Sequence, residues 1–138
     1  IKTFEINLIN ILNFNLELNK LEHIDNLTLG FKDVNNIYIR DNNLKKFPFR
    51  QLENLKRVLK EIDLTNNQLK KLENNFNRVV FVKKILFKNN QIDQIHSEFF
   101  DKLRFLDLLD LSINRINNLN ESTFSQLIHL KYLNLSHN

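Results

Sequence analysis

Apolar residues recur along this chain in one spacing, repeated six times. Ile11, Phe14 and Leu16 set the pattern, and Val34, Ile37 and Ile39 repeat it, as do Leu59, Ile62 and Leu64. Val82, Ile85 and Phe87 follow, then Leu106, Leu109 and Leu111, and finally Leu130, Leu133 and Leu135. Each trio is closed three residues later by an asparagine: Asn19, Asn42, Asn67, Asn90, Asn114 and Asn138. Successive closing asparagines are 23, 25, 23, 24 and 24 residues apart. Two further apolar positions follow each of the first five, namely Leu21 and Ile24, Leu44 and Phe47, Leu69 and Leu72, Ile92 and Ile95, Ile116 and Leu119. All 28 apolar slots are filled in a chain that is 42% apolar. Chance would do this with a probability on the order of 10⁻¹⁰.

The last two residues of each trio are separated by one, which is strand periodicity, so both point inward and the residue between them points out. One such unit cannot bury its apolar face alone, whereas stacked units pair their strands in a parallel sheet and close a continuous core. The pattern predicts strands near residues 14 to 16, 37 to 39, 62 to 64, 85 to 87, 109 to 111 and 133 to 135. Leu52, Leu55, Leu59 and Ile62 have helical spacing, which predicts a local helical turn on the return side of the longest repeat. The closing asparagines are expected as a buried ladder, because an amide carries donors and an acceptor and satisfies backbone groups that a bend leaves unpaired.

The motif L-x-x-L-x-L-x-x-N resembles the leucine-rich repeat family from about Leu8 to the end. The continuation F-x-x-L-x-x-L, at Phe100, Leu103 and Leu106 and again at Phe124, Leu127 and Leu130, is similar to the class of about 24 residues found in animal extracellular proteins. Toll-type receptors and insect leucine-rich immune proteins are examples. The chain departs from that class where Asn74 to Phe76 lacks one spacer residue, where Leu52 replaces the Phe, and where Thr28 fills that slot. The resemblance implies an α/β solenoid, a leucine-rich repeat horseshoe of six strands with its parallel sheet on the concave face. It implies a single partial domain over 1–138, with repeats near 8–24, 34–58, 59–81, 82–105, 106–129 and 130–138. It also implies non-catalytic recognition of a protein or microbial ligand, in a secreted or cell-surface glycoprotein of innate immunity. A cytosolic scaffold or signalling adaptor of the same fold is the alternative.

Composition adjusts this picture in a few places. One Gly, one Pro and no Ala stand against 24 Asn, so asparagine has to supply the turns. With no Cys there is no disulfide scaffold or thiolate metal site within these residues, and no cofactor is expected. The longest apolar run, Val79 to Val82, is far short of the roughly 20 residues of a membrane span. The chain opens on Ile1, and the expectation is an uncapped fragment of a longer protein, with open ends available for self-association.

Function is expected on the strand positions that packing leaves free. One outward row reads Asn13, Asn36, Glu61, Lys84, Leu108 and Tyr132; the next reads Asn15, Tyr38, Asp63, Leu86, Asp110 and Asn134. A third reads Glu17, Arg40, Thr65, Lys88, Ser112 and Ser136. The candidate binding residues are Tyr38, Arg40, Asp63, Lys84, Leu86, Lys88, Leu108, Asp110 and Tyr132. Leu86, Leu108 and Tyr132 form an apolar spot inside a charged rim, which is how protein-binding hot spots are built. Scattered exposed leucines are also ordinary surface, and covering loops are the competing explanation. Six strands offer roughly 400 Å² of face, short of the ~800 Å² that a standard interface takes from each partner. Either more repeats contribute or a partner also grips the flanks.

Lys60, Lys83, Lys84 and Lys88, with Lys45, Lys46, Lys70 and Lys71 after the asparagines, form a basic cluster. Glu61, Asp63, Asp107 and Asp110 are interleaved with it, Glu61 beside Lys84 as a cross-strand pair, and this mixture argues against a nucleic-acid groove. His23, His96, His129 and His137 lack metalloprotease spacing, no Ser sits in a nucleophile elbow, and one Gly makes no phosphate loop, so catalysis is not expected. Asn26, Asn120 and Asn134 are candidate glycosylation sites, although this composition yields roughly 1.6 such sequons by chance.

Overall fold

The computed structural model describes residues 11–24, 34–55, 58–73 and 76–138. Six strands form one sheet: β1 (Asn13–Asn15), β2 (Asn36–Tyr38), β3 (Leu59–Asp63), β5 (Val82–Leu86), β7 (Leu108–Asp110) and β8 (Tyr132–Asn134). Every neighbouring pair is parallel and in repeat register, with Phe14 opposite Ile37, Ile37 opposite Ile62, Ile62 opposite Ile85, Ile85 opposite Leu109 and Leu109 opposite Leu133. The second apolar slot of the sequence motif therefore runs as one row through the sheet. The strands fall about one residue earlier than the alternation suggested. The third apolar residue of each repeat already lies past the strand, where its N–H donates to the next coil, as Leu64 does to the Leu86 carbonyl at 2.9 Å.

A second, two-stranded parallel sheet pairs β4 (Lys71–Leu72) with β6 (Gln94–Ile95). It arises at the apolar slot five residues beyond the asparagines, where Leu72 turns into the core.

The return side contains a 3-10 helix at Phe49–Asn54, immediately after Pro48, which is the local helical turn expected in the 25-residue repeat. No α-helix occurs among the described residues. Elsewhere the return is a series of three-residue turns, with Phe99 bonded to His96, Leu103 to Phe100 and Leu106 to Leu103. Phenylalanine fills the space that a helix would occupy. Phe49 has the rings of Phe47 at 4.7 Å, Phe99 at 5.2 Å, Phe87 at 5.8 Å and Phe76 at 6.0 Å around it, all edge-on. Phe99 and Phe100 continue this packing toward Phe124. Edge-to-face pairs add roughly 0.5–1.5 kcal/mol each beyond burial, so the aromatic fill stabilises the coil-to-coil stack as well as occupying volume.

Asn42, Asn67, Asn90 and Asn114 are buried, and each makes the same four bonds. The Asn67 amide donates to Ile39 one coil back and to Leu64 and Thr65 in its own coil, while its oxygen accepts the Leu44 N–H at 3.0 Å. Each ladder residue thus ties its turn to the preceding coil. Asn138 repeats the arrangement in a more exposed setting, and Asn19 bonds the Leu16 and Glu17 carbonyls.

The residue just before each ladder asparagine lies in the left-handed region: Leu18, Asp41, Asn66, Asn89, Ile113 and His137 have φ between 52° and 59°. This turn is thereby made at all six positions without glycine.

Candidate binding surface on the sheet and its flank

The outward positions of the six strands differ in how free they are. In the middle row, Asn15, Asp63, Asp110 and Asn134 each turn a side-chain oxygen onto the N–H two residues ahead, at Glu17, Thr65, Ser112 and Ser136. These side chains close the strand ends, and Asp63 is buried. Tyr38 and Leu86 occupy the same row without such a bond and are half-buried. Burial, with the carboxylates of Glu61, Glu17 and Asp63 nearby, raises the Tyr38 hydroxyl above its usual pKa of 10.0.

In the first row, Asn36 donates to Asn13 at 2.7 Å. Glu61 and Lys84 lie opposite each other in register, yet their side chains form no ion pair. The charged contacts lie elsewhere. Arg40 reaches Glu17 at 3.1 Å and Asp41 at 3.8 Å, and Lys83 and Lys131 bind Asp107 at 3.3 and 3.1 Å. The Lys131 and Lys83 ammonium groups hold the Asp107 carboxyl below its usual value of 3.8.

Leu108 and Tyr132 face each other across β7 and β8, and Tyr132 is 52% exposed. Leu86 sits one strand back, opposite Asp110. The sheet thus has two poles: an acidic one around Tyr38, and an apolar one at Leu86, Leu108 and Tyr132 beside exposed Lys84 and Lys88. In the third row, Ser112 is buried and its hydroxyl has no hydrogen-bond partner among the described residues. His137 is exposed at the left-handed turn.

A second feature escaped the reading of the sequence. Phe81, Phe105 and His129, each one residue before the first apolar slot of its repeat, stack as a column on the sheet's flank. Phe81 and Phe105 lie 4.7 Å apart with planes at 20°, and Phe105 and His129 lie 5.6 Å apart at 11°. Phe81 is 49% exposed, and Val58, in the same slot one repeat earlier, is exposed as well. The signal is a column of large side chains at a position that packing leaves free, one residue before the first apolar slot and outside the strand alternation. Two residues further along, Lys83, Asp107 and Lys131 form a parallel charged row.

Of the candidate glycosylation sites, Asn120 is exposed and its oxygen accepts from both the backbone and the hydroxyl of Ser122. Asn134 lies on the strand face, capping Ser136, and Asn26 lies outside the described residues. Among the described residues, no helix is long and apolar enough to cross a membrane.

Residues 82–138 match the family model for the leucine rich repeat. The match supports a leucine-rich repeat family, and the parallel sheet keeps the same register from β8 back to β1, beyond the matched residues. Members of this family are typically non-catalytic binding modules. A comparison with curated proteins gave no match.

Proposed function

We propose that this chain is a protein-recognition module whose partner docks on the apolar pole of the sheet and extends over the adjacent flank. The observation that carries this reading is the trio Leu86, Leu108 and Tyr132, apolar side chains at outward slots where the fold needs none. Lys84 and Lys88 supply a polar rim that steers approach more than it holds the complex. The Phe81–Phe105–His129 column lies three to five residues earlier on the same coils, so a partner gripping both gains the area that the sheet alone lacks. Resemblance to extracellular immune receptors favours a secreted or cell-surface setting with a protein or microbial ligand. A cytosolic scaffold would use the same face.

The test starts from a partner captured from the source organism and measures its affinity for four single variants and one triple variant. Leu86→Ala, Leu108→Ala and Tyr132→Ala should each weaken binding by about 1 to 2 kcal/mol, while Lys84→Gln should mainly slow association at low salt. A triple alanine variant that binds like the parent would move the interface off this face.

A further inference from the structure

Behind the ladder asparagines, on the side away from the strand face, lies a hollow of about 390 Å³. Lys45, Lys46, Lys70 and Lys71 line it together with the amides of Gln68 and Gln91. The repeat places them there. Lys45 and Lys70 are each the third residue after a ladder asparagine, and Lys46 and Lys71 each the fourth, so the same two slots carry lysine on adjacent coils about 4.8 Å apart. The next repeat has Asp93 and Gln94 in these slots, which ends the basic stretch.

The floor is rigid. Phe47 and Phe49 are buried beneath it, and Lys71 belongs to the strand paired with Gln94. The charge in the hollow is not neutralised from within. Lys45 meets Glu22 across one coil at 3.4 Å, whereas among the described residues Lys46, Lys70 and Lys71 have no carboxylate within ion-pair distance and Glu73 is the single acid in the lining. The Glu22 contact shows that an anion on one coil reaches an ammonium on the next.

We propose that this hollow binds a phosphate monoester. Such a group carries about −1.5 to −2 charge and three acceptor oxygens, matching three unpaired ammonium groups with two amides beside them. A lysine acts as a point charge with rotatable donors, which suits a tetrahedral anion better than a planar carboxylate. The surface is independent of the strand face that the protein-recognition reading uses.

Phenyl phosphate titrated into the isotope-labelled chain should shift the amide resonances of Lys45, Lys46, Lys70 and Lys71 in one saturable process. K70Q/K71Q should weaken it by about tenfold or more, whereas K84Q on the strand face should leave it unchanged. Phenyl sulfate, with a single charge, should bind about threefold or more weaker than the phosphate. A phosphoserine peptide run beside phenyl phosphate separates the sources: tighter binding of the peptide assigns a monoester carried on a chain, equal affinity assigns a small free monoester, and tighter binding of inorganic phosphate than of either would overturn the proposal. Shifts spread evenly over all lysines, equal binding of sulfate and phosphate, or K70Q/K71Q binding like the parent would each overturn the proposal.

Discussion

The side-chain oxygen of Asn90 accepts the backbone N–H of Leu69 at 3.0 Å, joining two coils through one buried amide. Its amide group donates back to Leu64 at 2.9 Å and to Phe87 at 2.9 Å. Asn90→Ala strands a buried N–H and buried carbonyls, and should cost about 3 kcal/mol. Asn89, its neighbour, is exposed, with φ of 52° and one bond to Asn66. Asn89→Ala should cost only about 1 kcal/mol, from the left-handed backbone, and Asn89→Gly still less. Urea denaturation of the three variants checks the ranking, and equal losses for Asn90→Ala and Asn89→Ala would refute the ladder's energetic role.

The sheet was legible because each repeat states its strand in the same spacing: residues such as Ile37, Ile62 and Ile85 need no tertiary context to be placed in one row. The return side was less legible. The one expected helical turn is present at Phe49–Asn54, but Phe49, Phe76 and Phe99 beside it come from three successive coils, and the spacing within a repeat does not specify how their rings meet. The strand face was readable as positions but not as states. Nothing in the sequence shows that Asp63 and Asp110 turn onto backbone N–H groups while Leu86 remains without such an anchor. The flank column was legible in principle, since Phe81, Phe105 and His129 share one slot of the repeat, but that slot lies outside the strand alternation that marks the sheet face.

Ile113 is β-branched, 40% exposed, and held at φ of 55°. A β-branched residue in the left-handed region is strained, by roughly 1–3 kcal/mol, where asparagine tolerates it better. The same slot holds Asn66 and Asn89 in other repeats. Ile113→Asn should therefore raise stability by about 1 kcal/mol, seen as a higher urea midpoint with unchanged slope. A lower midpoint would mean that Ile113 contributes packing that outweighs its strain.

Asp107 links Lys83 and Lys131 on neighbouring coils, and its carboxyl is held below the usual 3.8, chiefly by Lys131. A carboxylate with a lowered folded-state value adds stability that is present above its unfolded value and lost as pH falls through the folded one. An NMR titration should place the Asp107 midpoint below 3.8 in the native chain and move it upward in Lys131→Gln. Salt at about 0.5 M should also move it upward, because exposed pairs are screened. An identical midpoint in parent and variant would show that the cross-coil bridge does not form in solution.

Phe105 touches one ring on each side, Phe81 at 4.7 Å and His129 at 5.6 Å, so it is the residue on which the flank column depends. Stacked rings couple beyond their buried area, and a double-mutant cycle isolates that coupling from the loss of surface. Phe81→Ala, Phe105→Ala and the double variant should give a coupling of about 1 kcal/mol in urea denaturation. Phe81 is half exposed, so its single variant should cost much less than truncating a core ring such as Phe99, which is fully buried. A coupling near zero would mean that the two rings move independently in water. The flank would then offer a partner separate apolar side chains instead of one rigid ridge, and the area assigned to it in recognition would fall accordingly.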